Sequence, residues 1–240
     1  MQEPLVLLED IDKEYTTGTV TVAALKGVSL SIQRGEFLAL YGPSGSGKST
    51  LLNVVGCLDR PTRGRFLLGG RDVSTLGRSE LSAVRRDSLG FIFQSYNLIP
   101  VLTAYENVEL PLLLHKTVGA ADRKARVERA LLDVGLGDLM HRRPSELSGG
   151  QQQRVAVARA LVKEPLLVLA DEPTANLDSE TGRHLLENMR QLNETRGATF
   201  LFSTHDKMVM GFARRLVRLQ DGSVVKDEAK GERTLEDITA

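Results

Sequence analysis

Tyr41-Gly42-Pro43-Ser44-Gly45-Ser46-Gly47-Lys48-Ser49-Thr50 decides how the rest of this 240-residue chain is read. It follows Glu36-Phe37-Leu38-Ala39-Leu40, a short apolar run that predicts a buried strand. It opens into Leu51 to Leu58, where Leu51, Val55 and Leu58 recur on one helical face. A strand, then Gly42, four residues and Gly47-Lys48-Ser49, then a helix, is the spacing of a phosphate-binding loop. Glycines let backbone N–H groups turn inward and approach phosphate oxygens without a Cβ in the way. The helix start adds unpaired N–H groups and the positive end of its dipole. In that arrangement Lys48 reaches the β- and γ-phosphates and the Ser49 hydroxyl ligates Mg²⁺. A plain turn explains the glycines but not Lys48-Ser49. The stretch predicts binding of a nucleoside triphosphate.

Outward from the loop, buried strands alternate with helices. Leu89 to Phe93 is a short apolar run, Leu166 to Ala170 is continuously apolar, as a strand covered on both faces should be, and Ala198 to Phe202 predicts another buried strand. Ahead of the loop, Leu5 to Leu8, Val20 to Leu25 and Val28 to Ile32 predict three further strands. From Ser95 to about Lys163 the pattern is mostly helical; Val127, Ala130, Leu131 and Val134 form one apolar face, with Asp122, Arg123, Lys124 and Arg126 largely outside it. Leu216 to Leu219 and Ser223 to Val225 flank Gln220-Asp221-Gly222, a hairpin signal, and the polar stretch from Lys226 to Ala240 is expected to fray. The fold class is α/β with a mainly parallel sheet.

A second element is the apolar run ending in Asp171-Glu172. A carboxylate at a strand end beside a phosphate loop is placed to hold Mg²⁺, directly or through water. Glu172 is then positioned to meet the water that attacks the γ-phosphate, as general base or as water-positioner. Two adjacent acids after five apolar residues are costly to bury without a cation or partners.

Leu147-Ser148-Gly149-Gly150-Gln151, before a helix spanning Gln152 to Val162, forms the third element. Alone, Ser-Gly-Gly is an ordinary turn. As a helix start it is another anion-binding nest. One triphosphate is already taken, so the nest holds either a second anion or the same nucleotide from another subunit.

Composition narrows the class. Lys plus Arg and Asp plus Glu both number 31, so no basic field draws the chain to nucleic acid, and none is expected as a partner. The one cysteine, Cys57, forms no internal disulfide, reads as a small packed residue on the helix after the loop, and points to a reducing compartment. Met1 to Pro4 lack the basic start and apolar core of a signal peptide, and no apolar stretch approaches the roughly 18 residues of a membrane helix. A membrane role would need a spanning segment from another chain.

Taken together and in this order, these motifs resemble the ATP-binding subunits of ABC transporters over nearly the whole chain. Gly42 to Thr50 looks like the family's Walker A motif, Leu166 to Asp171 like its Walker B, and Leu147 to Gln151 matches its LSGGQ signature without departure. Gln94 falls where the family's Q-loop glutamine stands, and Tyr15, otherwise a surface aromatic, where its adenine-stacking ring stands. Ala175-Asn176-Leu177-Asp178 resembles the D-loop, and Ser203-Thr204-His205-Asp206 the switch-histidine motif. His115, His141 and His184 have no such context and read as ordinary.

The resemblance implies one domain over residues 1–240: a P-loop NTPase core at 1–94 and 164–240 with an antiparallel β subdomain, and an inserted helical subdomain at 95–163. It implies ATP and Mg²⁺ as ligands. Catalysis falls to Glu172, His205 and Gln94, and metal binding to Ser49, Gln94 and Asp171. Nucleotide contacts come from Tyr15, Gly42, Pro43, Ser44, Gly45, Ser46, Gly47, Lys48, Ser49 and Thr50, and from Ser148, Gly149, Gly150, Gln151 and Asp178 of a second copy. It further implies a head-to-tail homodimer with ATP between subunits, peripheral at the cytoplasmic face of the inner membrane. A permease would dock near residues 95–115.

Gly56 to Gly64, Phe93 to Pro100 and Leu147 to Ala160 look like the lipoprotein-releasing and macrolide-export group. A cell-division-type regulatory ATPase, whose permease transports nothing, shares the same catalytic residues and stays open as the alternative.

Overall fold

The computed structural model describes residues 3–115 and 118–230. A long hairpin comes first, β1 (Val6–Thr17) and β2 (Val20–Ile32), turning at Gly18 in the left-handed region. Two strands replace the three short ones the sequence suggests. Register slips near Ile11 and Lys13 let polar residues interrupt the apolar pattern without ending the ladder. Tyr15 therefore lies within β1, opposite Val22, rather than in a loop. Next come β3 (Phe37–Tyr41) and α1 (Lys48–Val55). Leu58, expected on the buried face of that helix, lies beyond its end and is half exposed. The chain has by then turned at Cys57, whose φ is 53°. Burial pushes the Cys57 thiol up to about 11.

Then follow β4 (Arg63–Leu68), β5 (Arg71–Asp72), α2 (Arg78–Ser88) and β6 (Leu89–Ile92). Helix α2 buries only Leu81 and Val84, a stripe too thin to stand out in the sequence. Three helices come next: α3 (Ala104–Leu113), α4 (Ala120–Asp133) and α5 (Gly149–Leu161). The Thr103 hydroxyl accepts from Glu106 N while Glu106 Oε2 accepts from Thr103 N, a reciprocal cap that fixes where α3 begins. Val127, Ala130, Leu131 and Val134 are buried as the helical pattern predicts. The chain closes with β7 (Leu167–Asp171), α6 (Ser179–Arg196), β8 (Phe200–Ser203), α7 (Lys207–Phe212), β9 (Arg215–Gln220) and β10 (Ser223–Ala229). Lys226–Ala229, expected to fray, is strand paired to β9; residues 231–240 lie outside the described residues.

The larger sheet has the order β10-β9-β3-β8-β7-β6, parallel except for the edge pair β9–β10. The smaller is antiparallel, β2-β1-β4-β5. Successive side chains of a strand face opposite sides, so the continuous apolar runs of β3, β7 and β8 feed two cores at once. Phe37, Ala39, Val168, Ala170, Phe200 and Phe202 pack toward α3 to α6. Leu38, Leu40, Leu167, Leu169 and Leu201 pack toward α1 and the antiparallel sheet. Each fully buried large side chain contributes roughly 1.5–3 kcal/mol, so the central sheet is a firm base for whatever its edge carries.

That edge is where the motifs meet. Strands β3, β8, β7 and β6 are parallel neighbours, with Leu40 beside Ser203, Ser203 beside Asp171, and Ala170 beside Ile92. Segments that follow these strands at residues 42, 94, 171 and 204 therefore emerge side by side at the carboxyl edge of the sheet.

Candidate nucleotide site

Gly42 to Thr50 wraps the start of α1 between β3 and the helix. Gly42 has φ 153°, and a Cβ there would run into the carbonyl of Leu219. Gly47, at φ 101°, caps α1, and a Cβ would stand 2.7 Å from the Ala24 carbonyl. Only glycine lets this backbone fold so closely against its neighbours. The Lys48 ammonium crosses the loop, donating to the carbonyls of Gly42 (2.8 Å) and Pro43 (3.0 Å). The Ser46 hydroxyl is buried and has no hydrogen-bond partner among the described residues.

A cleft of about 780 Å³ opens over the loop. Gly42, Pro43, Ser44, Gly45, Ser46, Gly47, Lys48, Ser49 and Thr50 line it together with Gln94, Asp171, Glu172 and His205, so residues far apart in sequence share one wall. Ser203, at the end of β8, also lines it, as do Ala24, Lys26, Asp221 and Gly222, which the sequence did not assign to the nucleotide. The last four come from the β1–β2 hairpin and the β9–β10 turn, and only the fold brings these to the loop.

Burial raises the Asp171 carboxyl above the usual range, and neighbouring Glu172 adds to this while Lys48 opposes it. Glu172 sits at φ 45°, and its carboxylate is held at both oxygens. Oε1 accepts from the backbone N–H of His205 (3.1 Å) and lies 2.6 Å from His205 Nδ1; Oε2 accepts from the Thr204 hydroxyl at 3.0 Å. The Thr204 hydroxyl in turn accepts from Asp206 N, and Asp206 accepts from Thr174, so the segment after β8 is tied to the segment after β7. Asn176 donates to the Gln94 carbonyl at 2.9 Å, joining the glutamine's loop to the same cluster. Thr204 and Asn176 stand inside stretches quoted from the sequence, yet their bonds depend on strand order, which residue types do not announce.

Six residues predicted for the nucleotide do not line this cleft. Ser148, Gly149, Gly150 and Gln151 begin α5, where the Ser148 hydroxyl accepts from Gln151 N and Gln151 Oε1 accepts from Ser148 N. Asp178 caps α6 and is exposed. Tyr15 stands at the cleft's rim rather than in its wall, cross-strand from Val22, which lines it. His115, His141 and His184 lie elsewhere; His115 meets Arg86 and Asp87, and His184 meets Glu187. Another cleft, about 640 Å³, lies between α4 and the ends of α5 and α6. Its arginines Arg126, Arg129 and Arg196 already pair with Asp122 and Asp133.

A strand edge bearing a phosphate loop, two acids and a histidine defines a nucleoside-triphosphate-binding cassette. The chain belongs to the ABC transporter family, whose profile matches residues 25–175, and within it is an ATP-binding subunit. It is 51% identical over 224 residues to an uncharacterised ABC transporter ATP-binding protein of Thermotoga maritima, covering 93% of this chain and 95% of that one. The macrolide export ATP-binding/permease protein MacB of Marinobacter nauticus is 49% identical over 93% of this chain, which spans only 34% of MacB's length. Among solved structures, the dimeric post-hydrolysis state of the cassette MJ0796 bound to ADP and Pi matches with TM-score 0.85 and 44% identity, over 95% of this chain and all of that one. MJ0796 is a protein of Methanocaldococcus jannaschii. CbiO1 of Clostridium perfringens, at 28% identity, matches with TM-score 0.86 over 95% of this chain and 89% of that one.

Proposed function

We propose that this chain hydrolyses ATP to drive a membrane permease, the permease being carried on the same or a separate polypeptide. The observation that carries the reading is the convergence, in one cleft, of a phosphate loop with a carboxylate already held by a histidine and a threonine.

Lys48 and backbone N–H groups of the loop and the start of α1 bind the triphosphate. Lys48 exchanges its two loop carbonyls for phosphate oxygens as the nucleotide enters. The cleft suits Mg²⁺: a half-buried carboxylate pushed toward protonation (Asp171), a hydroxyl (Ser49) and an amide (Gln94) form an all-oxygen set of the kind hard cations take. When bound there, Mg²⁺ supplies neutralising charge at the β- and γ-phosphate oxygens. Glu172 orients and deprotonates the attacking water, and His205, on its other side, steadies the carboxylate and reaches the γ-phosphate.

Ser148, Gly149, Gly150 and Gln151 begin a helix outside this cleft, so the second anion nest serves the nucleotide of another copy. The dimeric MJ0796 structures support that arrangement. ATP then closes two copies head to tail, with Asp178 near the shared interface, and hydrolysis reopens them. Among the described residues no helix is long and apolar enough to cross a membrane. The cassette works at the cytoplasmic face of the inner membrane through its permease, a reading supported by its likeness to ATP-binding/permease proteins. The apolar stretch from 95 to 115 divides in support of this. Leu112 is core and Leu98 packs on it, while Ile99, Val101, Leu113 and Leu114 stay exposed as a docking surface. The MacB likeness favours export or lipoprotein release over a regulatory role.

The test is Mg²⁺-dependent ATP turnover by the purified chain, repeated with the permease that co-purifies. No turnover in either form sinks the reading; stimulation by an apolar export substrate or a lipoprotein, rather than by cell-wall enzymes, selects the transport branch.

A further inference from the structure

Three residues from two distant stretches meet at the rim of the cleft. Asp59 follows α1. Its Oδ1 accepts from Lys13 Nζ at 2.7 Å and its Oδ2 from the Tyr15 hydroxyl at 2.9 Å. Lys13 Nζ also donates to the Arg60 carbonyl at 2.9 Å, and stands 4.8 Å from the centroid of the Tyr15 ring. The Thr50 side chain, from the phosphate loop itself, stands close by the same phenol. Lys13 is nearly covered, its side chain 12% exposed, whereas Tyr15 remains 41% exposed.

The backbone joins in. Glu14 N donates to the Thr62 hydroxyl and Thr62 N to the Asp12 carbonyl, so the β1 segment from 12 to 15 is laced to the turn that ends α1. That helix begins at Lys48. The ring and the phosphate loop thus belong to one braced unit with a set spacing between them.

A tyrosine needs none of this to sit on a surface. An exposed phenol left alone samples several rotamers, and holding a charged pair beside it costs side-chain entropy that a surface ion pair barely returns. The bracing makes sense if the ring must stand in one place. With a cation over the phenol and its hydroxyl tied down, the ring keeps an exposed apolar surface on which a flat π-system can stack.

We propose that Lys13 and Asp59 are positioning residues for the nucleobase: together they hold Tyr15 as a fixed stacking platform at a set distance from the phosphate loop. This rests on the nucleotide reading of the cleft. Fixing the platform in advance removes an ordering cost from binding, so the pair acts on affinity rather than on the chemical step.

The experiment compares ATP with inorganic tripolyphosphate, which offers the same phosphates and no base. Affinities of the full chain are measured for wild type, Tyr15→Leu, Tyr15→Phe, Lys13→Met, Asp59→Asn and the double variant Tyr15→Leu/Lys13→Met. Tyr15→Leu is expected to weaken ATP roughly 5- to 30-fold, the scale of one base–aromatic stack. Lys13→Met and Asp59→Asn should each weaken it about 3-fold, raising KM for ATP with kcat unchanged. Tripolyphosphate affinity should be the same in every variant, and the double variant no weaker than Tyr15→Leu alone. Tyr15→Phe keeps the ring and loses the tether, so it should resemble Asp59→Asn.

Wild-type ATP affinity in Lys13→Met and Asp59→Asn, with Tyr15→Leu weakened, overturns the inference and leaves the nucleotide reading standing. Loss of tripolyphosphate binding in those two variants overturns it in favour of a purely structural brace. Failure of the wild-type chain to bind ATP at all overturns the nucleotide reading itself.

Discussion

His205 Nδ1 lies 2.6 Å from Glu172 Oε1, and the same oxygen accepts from the His205 backbone N–H. One residue thus grips one carboxylate oxygen twice. The His205 side chain is 76% exposed toward the cleft, while that of Glu172 is 16% exposed. The histidine can therefore swing without disturbing the core, and the carboxylate cannot.

Glu172→Gln keeps the shape and the Thr204 bond but removes the basic oxygen. Turnover should fall roughly 100-fold or more while ATP binding persists. In the proposed cycle ATP closes the dimer and hydrolysis reopens it, so this variant should also accumulate as an ATP-bound dimer on size-exclusion chromatography. Near-wild-type hydrolysis would remove Glu172 from its assigned role. His205→Ala should slow turnover as well, and less severely if the carboxylate stays held by Thr204.

Among the described residues Lys48 bonds only to two carbonyls of its own loop, so Lys48→Ala costs the fold little. What it removes is a charge-assisted contact to phosphate. ATP affinity should drop by about 1.5–3 kcal/mol, roughly 10- to 150-fold, as read by calorimetric titration. Unchanged affinity with an intact melting curve would contradict the assignment of the phosphate loop.

The phosphate loop was legible because glycine spacing is a local backbone requirement, and the backbone meets it at Gly42 and Gly47. The buried strands were legible for a related reason: a strand covered on both faces has no polar residue to hide. The short strands predicted at Leu5 to Leu8 and Val20 to Leu25 leave Tyr15 between them; it lies within β1 because β1 stays paired through polar residues, and pairing of that kind depends on the opposite strand. Helix α2 escaped notice because two buried residues in eleven leave no periodic stripe. The Lys13–Asp59 bond spans 46 residues of sequence, and nothing in either residue's neighbours foretells the other. Local geometry reads from sequence; contacts set by register do not.

Lys163, just beyond α5, donates to the carbonyls of Arg85 (2.7 Å) and Arg86 (2.6 Å) at the end of α2. Burial pulls its ammonium down from 10.5 to about 8. Below pH 8 both folded and unfolded chains carry the proton, and the desolvation cost is fully present. Between about 8 and 10.5 the unfolded chain still holds a proton that the folded chain has shed, so stability rises with pH across that window. Partial exposure and the two carbonyls, which favour the charged form, reduce the gain to on the order of 1 kcal/mol. Urea melts at pH 7.5 and 10 should show that rise in wild type relative to Lys163→Met. An identical pH response in the two proteins would refute it.

The start of α5 and the phosphate loop lie apart within one chain, so a composite site makes a prediction that no single-chain site can share. Ser148→Arg blocks the anion nest with bulk and positive charge, and Lys48→Ala disables the loop; each alone should hydrolyse ATP poorly. In a mixed dimer of the two, both lesions fall in the same composite site: one protomer's altered loop faces the other's altered nest. The second site combines an intact Lys48 with an intact Ser148. Equal mixing places half the dimers in this mixed form, each with one whole site of two, so activity should recover toward about a quarter of wild type. Recovery requires only that one intact site can turn over, and it should follow second-order kinetics in protein concentration. If the mixture stays as inactive as its parts while cross-linking shows mixed dimers present, then either the nest does not serve the partner's nucleotide or both sites must act together. Mixing Lys48→Ala with wild type separates these two: a dominant loss of activity identifies obligate pairing, and simple dilution removes Ser148 from the site.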